Sequence, residues 1–250
     1  MMDVDEERPA SGAEAQRMLV QWCLSAQYFS EAELHAAAER ITGDAADELQ
    51  ATVESMNGAL GPFALALRSG MEQTTGDRRW AVVSTSADPI SALGTPYPPA
   101  TIAVLRHLLE LVVTDDGYAI GLHHAVREAA AKCPAATTRR VAEDIVQRLA
   151  DDGWLTVESQ WVGVGQRACI ELQPYLADAY PDCIKTCCLC KEMATRGIVC
   201  AACAEVLHPH CAERLESAAA LSCPACRQRM ANSESFGPHR PSRQKSETPL

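Results

Sequence analysis

Aromatic side chains are scarce in this sequence, with three Phe, five Tyr and four Trp among 250 residues. That scarcity excludes a core built on ring packing. The interior must be filled with Leu, Val, Ile and Ala, for which helices are the natural outcome. Basic residues are short too: 22 Lys and Arg against 33 Asp and Glu give a formal net charge of −11. A general nucleic-acid binder needs the opposite balance, because neutralising phosphates takes a surplus of Lys and Arg; only a local basic face stays open. No apolar run reaches the ~20 residues of a membrane span. The strongest candidate, Thr101 to Val113, is broken by Arg106, His107 and Glu110. The first residues, Met-Met-Asp-Val-Asp-Glu-Glu, lack the basic-then-apolar pattern of a signal peptide, so a reducing compartment, cytosol or nucleus, is expected.

Cysteine, by contrast, is plentiful. Twelve are present, and a reducing compartment argues against disulfides as the reason. Cys23, Cys133 and Cys169 are scattered, whereas nine lie between Cys183 and Cys226.

The length accommodates about two domains and a small third module. Residues 1–12, acidic with Pro, Ser and Gly, read as a disordered leader. Residues 13–92 predict three helices followed by a hairpin, the order of a winged-helix domain. The first helix runs from Ala13 to Gln27, with Met18, Leu19, Trp22 and Cys23 at helical spacing. Ser30 with Glu33 forms a capping-box signature that opens the second, through Thr42. The third spans Ala45 to Asn57 and should end at Gly58. Strands are expected at Phe63 to Leu67 and Trp80 to Thr85, around a polar turn from Ser69 to Arg79. Ser86 to Pro99, rich in Pro, reads as a connection. Residues 93–180 then repeat the order: helices over Ala100 to Val113, His123 to Lys132, and from Thr137 or Thr138 to Ala150. Strands over Trp154 to Glu158 and Ala168 to Leu172 should follow, with a turn at Gly163 to Gln166 and a closing helical turn at Tyr175 to Tyr180. The fold class expected is thus α+β, tandem winged helices followed by a zinc finger over residues 183–230, with a disordered polar tail over 231–250.

In winged-helix folds the third helix often enters a DNA groove, which singles out Arg139, Arg140 and Arg148. Glu143, Asp144, Asp151 and Asp152 share that segment and favour a solvated or protein-binding face.

The finger rests on four pairs of metal-binding residues, each with two residues between its members: Cys187/Cys190, Cys200/Cys203, His208/Cys211 and Cys223/Cys226. That interval lets a backbone knuckle aim both donors at one ion, and four donors complete one tetrahedral zinc. Eight donors imply two Zn²⁺. A segment this short cannot bury enough apolar surface to fold alone, whereas structural zinc supplies roughly 10–16 kcal/mol per site. Only four residues separate Cys203 from His208, as expected when alternate pairs share an ion. Cys187, Cys190, His208 and Cys211 are therefore assigned to zinc one, and Cys200, Cys203, Cys223 and Cys226 to zinc two. His210 and Cys188 are assigned as neighbours.

Four cysteines, one histidine and three cysteines is an order shared by PHD fingers and a minority of RING-type domains. A methyl-lysine reader needs an aromatic cage. From Cys187 through Cys226 there is no Phe, Tyr or Trp, and Leu221 stands where PHD fingers typically carry an aromatic. Leu189, between the first two ligands, and Pro224 fall where RING domains offer an apolar surface to a ubiquitin-conjugating enzyme. Leu215 fits the helix flanking that groove; for Leu189 and Leu215 local packing is the alternative. Arg227, directly after the last ligand, stands where active RING domains place a cation bridging conjugating enzyme and ubiquitin; a solvated Arg is the alternative.

Tandem winged helices followed by this finger resemble the family of non-SMC element one, the RING subunit of the Smc five/six chromosome-maintenance complex. The resemblance spans residues 14 to about 230 and is specific in the zinc segment. It implies a nuclear RING-type E3 ubiquitin-protein ligase subunit that docks onto a MAGE-family subunit, non-SMC element three, and acts in DNA repair by homologous recombination. Such a ligase uses no covalent nucleophile and works by positioning. A non-catalytic zinc-stabilised scaffold and a PHD-like histone-tail reader are the competing expectations.

Overall fold

The computed structural model describes residues 12–43, 49–85, 97–133, 138–216, 221–230 and 234–238. Contacts divide the chain into two compact units, Met1–Met71 with Asp77–Gly94, and Glu72–Gly76 with Thr95–Leu250. No helix among the described residues is long and apolar enough to cross a membrane.

The first unit runs α1 (Ala13–Ala26), β1 (Tyr28–Ser30), α2 (Glu31–Thr42), α3 (Leu49–Leu60), a 3-10 turn (Gly61–Phe63), β2 (Leu65–Met71) and β3 (Arg78–Ser84). α2 starts where the capping-box signature places it. Ser30 Oγ accepts from Glu33 N, and the Glu33 carboxylate accepts from Ser30 N at 2.7 Å. The Ser30 side chain and backbone bonds hold the Glu33 carboxyl below its ordinary range. Gly43, left-handed at φ 76°, ends the helix. β3 is the central strand of an antiparallel sheet ordered β1-β3-β2. Asn57 acts as a substitute strand partner: its Oδ1 accepts from Leu67 N and its Nδ2 donates to Leu67 O, fastening α3 to β2. Leu19, Cys23, Phe29, Leu34, Met56, Leu60 and Trp80 fill the core.

The second unit begins with α4 (Pro99–Thr114), β4 (Ile120–Gly121), α5 (Leu122–Lys132), α6 (Arg139–Asp151), β5 (Leu155–Glu158) and β6 (Trp161–Val164). Its sheet order, β4-β6-β5, and its sequence of elements repeat those of the first unit. α7 (Gln166–Ala179) follows, then β7 (Gly197–Val199), β8 (Val206–Leu207), α8 (Pro209–Glu216) and β9 (Glu234–Phe236), with a small sheet ordered β8-β7-β9.

Several sequence expectations are corrected. Ala168 to Leu172 is not a strand but lies inside α7, and the helix closing this region is 14 residues long rather than a turn at Tyr175 to Tyr180. The hairpin turns earlier, at Ser159 and Gln160, where Ser159 adopts a left-handed φ of 56°. Gly165, expected in that turn, is instead the N-cap of α7. α3 passes through Gly58 to Leu60, and Phe63 sits in the 3-10 turn, 75% exposed, rather than in a strand. β2 and β3 extend the first hairpin into the segment expected to be a turn, through Met71 and from Arg78. Within the tail expected to be disordered, residues 234–236 form β9, because Gly197 to Val199 offer a free edge and Phe236 finds Tyr118, edge-on with ring centroids 5.8 Å apart. The leader through residue 11, residues 44–48 with the expected α3 start at Ala45, most of the connection (86–96) and the tail beyond residue 238 lie outside the described residues.

Polar contacts tie the cysteine-rich segment to the rest of the second unit. Arg196, 7% exposed, is paired with Glu158 of β5. Tyr118 Oη donates to Cys183 O and accepts from Lys185 N at 2.9 Å. Gly237 N donates to Gly117 O; Gly237 has φ 114°, and a Cβ there would stand 2.5 Å from that of Arg196. In α7 a buried ion pair, Arg167 Nε to Glu171 at 2.6 Å, lies beside Trp154, whose ring the guanidinium covers at 4.4 Å.

Candidate metal centre

The three cysteine pairs adopt one backbone motif. In each, the amide of the residue after the second cysteine closes a tight loop: Lys191 N donates to Cys187 O, Ala204 N to Cys200 O and Arg227 N to Cys223 O, at 2.8–3.0 Å. The first cysteine's own amide donates one residue further on, to Glu192 O, Glu205 O and Gln228 O respectively. Lys191, Ala204 and Arg227 are all left-handed, with φ of 65°, 60° and 63°. The loop turns amides towards the first sulfur. For Cys187, burial opposes ionisation, but hydrogen bonds from the His208 side chain and from the amides of Cys190, His208 and Leu189 bring the thiol down to about 5. For Cys200 the amides of Ala202 and Cys203 bring it down to about 7. The fourth pair is built differently: His208 precedes α8 and Cys211 lies in its first turn, with Ala212 N donating to His208 O.

Among the described residues, two groups of donors converge: Cys187, Cys190, His208 and Cys211, and Cys200, Cys203, Cys223 and Cys226, with the ligand atoms of each group within 4.8 Å of one another. Alternate pairs thus come together, and both clusters could hold metal ions. The spacings fit the chemistry of the donors. Cys200 Sγ to Cys226 Sγ and Cys203 Sγ to Cys223 Sγ are both 3.7 Å. A disulfide would require ~2.05 Å, whereas the edge of a tetrahedron with zinc–sulfur bonds of ~2.3 Å is about 3.8 Å. In the other cluster His208 Nδ1 lies 3.3 Å from Cys190 Sγ and 3.9 Å from Cys211 Sγ. These values bracket the ~3.6 Å edge expected between nitrogen and sulfur on one zinc. His208 Nε2 donates to Met193 O at 3.2 Å, which fixes the tautomer that leaves Nδ1 free to bind.

The neighbours are placed as follows. His210 lies outside both clusters, its ring stacked on that of His208 at 4.9 Å and 16°. Cys188 lies outside as well; its amide donates to Val206 O, and burial pushes its thiol up to about 11. Leu189 is 36% exposed, Pro224 and Arg227 are exposed, and Leu215 is half-buried against Leu207 and the sulfur-lined core. On α6, Arg139 is paired with Glu143 at 2.7 Å and also meets His123, while Arg140 and Arg148 are exposed.

One residue that the sequence did not single out borders the first cluster. Gln73, in the loop between β2 and β3 that belongs to the second unit, is 4% exposed and donates to the same Met193 carbonyl as His208. It stands in a polar turn, where nothing in the local pattern distinguishes it from its neighbours.

Residues 16–172 match the family described as "Nse1 non-SMC component of SMC5-6 complex". Non-structural maintenance of chromosomes element 1 of Schizosaccharomyces pombe is 26% identical over 185 residues, covering 74% of this chain and 78% of that protein. The Homo sapiens homologue is 24% identical over 184 residues, covering 72% of this chain and 68% of its own length. Among solved structures, a chain of an "Nse1-Nse3-Nse4 complex" aligns with a TM-score of 0.75 at 20% identity, over 89% of this chain and 98% of that one; this likeness is one of fold.

Proposed function

This chain belongs to the Nse1 family, the non-SMC component of the SMC5-6 complex, and from that premise we propose that it is a RING-type E3 ubiquitin-protein ligase subunit acting in the nucleus. In this reading the two repeated units are winged-helix domains that dock onto a MAGE-type Nse3 subunit and its Nse4 companion, in keeping with the make-up of the similar Nse1-Nse3-Nse4 assembly. The work served is DNA repair by homologous recombination. The two donor clusters hold two Zn²⁺, with Cys187, Cys190, His208 and Cys211 on one and Cys200, Cys203, Cys223 and Cys226 on the other. When bound, the ions supply rigidity rather than chemistry.

The observation that carries the reading is the outward apolar Leu189, held between two ligands of one cluster, with Pro224 and Arg227 exposed on a knuckle of the other. A conjugating enzyme presents apolar loops to such a platform. Arg227 adds a cation able to hold ubiquitin folded back, so that the thioester is oriented for attack by a substrate lysine, which is catalysis by restricted conformation. Leu215, half-buried, supports the platform from below. The competing scaffold reading draws on the ties that bind the finger within the second unit, Arg196 to Glu158 and β9 to β7. Autoubiquitination assays with and without the MAGE-type partner separate them. Chains should form and Arg227→Ala should slow ubiquitin discharge without loss of metal; no chains in either condition favours the scaffold.

A further inference from the structure

We propose that Gln73 is a positioning residue for the cluster containing His208: its carboxamide locks the 193–196 turn, and that turn holds the imidazole in its ligating orientation. The inference rests on reading both clusters as zinc sites and adds to that reading a determinant outside the cysteine-rich segment.

A carboxamide buried to this degree has to use its polar atoms, and Gln73 uses both ends. Oε1 accepts from Thr195 N at 2.9 Å, from Thr195 Oγ1 at 3.3 Å and from Arg196 N at 3.3 Å. Nε2 donates to Met193 O at 3.1 Å and to Cys169 Sγ at 3.7 Å. Met193 O is thus shared, accepting from Gln73 Nε2 at 3.1 Å and from His208 Nε2 at 3.2 Å. The turn itself is buried, from Met193 at 2% to Arg196 at 7% exposure, so a released amide there has no water to turn to. The same loop also braces the far side of the ring. The Gln73 backbone bonds the His210 side chain, which is stacked on His208, and Gly76 passes so close that a Cβ would lie 3.2 Å from His210 Cβ. His208 is therefore held on its nitrogen through Met193 and on its face through His210, and Gln73 underlies both. Its side-chain bonds run to residues 169 and 193–196; they touch neither Cys200, Cys203, Cys223 nor Cys226.

Outer-shell partners of a ligating histidine typically govern metal affinity by about 10–100-fold. The test uses the full chain loaded with zinc, and in parallel with cobalt, whose visible bands distinguish a three-sulfur, one-nitrogen site from a four-sulfur site. Release is followed with a colorimetric chelator in the wild type, Gln73→Ala and Gln73→Met; the methionine fills the volume without the hydrogen bonds. Both variants should lose one metal about 10–100-fold faster and the other at the wild-type rate, with the spectral change confined to the nitrogen-containing site. Wild-type release from Gln73→Met would overturn the proposal, since packing alone would then suffice. Equal acceleration of both metals would also overturn it, as global loosening. A wild-type protein holding fewer than two metals would instead sink the zinc reading beneath it.

Discussion

At the scale of single residues, the grouping of eight Cys and His side chains into two clusters that could hold metal ions was foreshadowed by their spacing, since two intervening residues are what a knuckle needs to aim two side chains at one point. What those residues do to the backbone was not readable. Lys191, Ala204 and Arg227 occupy left-handed conformations that favour glycine, yet none of the three is a glycine. The knuckle hydrogen bonds impose the conformation, and L-residues bear a cost of about 1–2 kcal/mol for it. Ala204→Gly should therefore stabilise the finger by about 0.5–1 kcal/mol, after the loss of unfolded-state stiffness is deducted. A rise in the chelator concentration needed to strip the second cluster checks this, and Ala204→Val should shift it the other way. Gln73 was invisible for a different reason: its side-chain partners stand 96 to 123 positions along the chain, and no local pattern encodes them.

At the scale of elements, helices with one wet face were legible whether or not a side chain caps them, and the caps sharpened two of the starts. α2 and α6 begin at Ser30 and Thr138, whose side chains accept from Glu33 N and Val141 N. α7 was misread because every residue from Gln166 to Leu172 is buried, which erases the apolar periodicity that marks a surface helix. The surviving clue was Arg167 four residues before Glu171, a helical spacing. β9 was missed because its polar residues carry no strand signal; Phe236, the lone aromatic beyond Tyr180, was its one mark. Lys185 lies 4.5 Å from the Tyr118 ring and 5.0 Å from that of Phe236, so the strand is pinned by a small aromatic–cation cluster. Phe236→Ala should cost about 1–2 kcal/mol, an aromatic pair plus part of its buried area. Hydrogen exchange should quicken at β7 and at the Gly237 amide, while two metals remain bound; unchanged exchange would show that β9 is passive.

At the scale of the whole molecule, the repeated order of helices and strands was legible in outline, since Gly, Pro and polar clusters punctuate both halves alike. In the proposed two-zinc state, ionising seven thiols and adding two Zn²⁺ would change the formal charge by −7 + 4 = −3, making an already acidic chain of −11 more so. Basic protein surfaces are its natural electrostatic partners. Removing the metals should act on one part of the chain and spare another. At roughly 10–16 kcal/mol per structural zinc, a strong chelator, or Cys200→Ala, should abolish amide protection over residues 187–230. The first unit, cored by Leu19, Leu34, Met56 and Trp80, should keep its own. Loss of protection in both together would contradict this.

The Gln73 contacts also set an order of events during synthesis. The amide partners of this side chain follow it by 122 and 123 residues, and a ribosome adding about 5–20 residues per second needs on the order of 6–25 s to deliver them. Through that interval the loop carries an unmet carboxamide, waiting for a late-arriving segment. The loop is thus made long before the segment that satisfies it, and only the arrival of the 193–196 turn completes its hydrogen bonds.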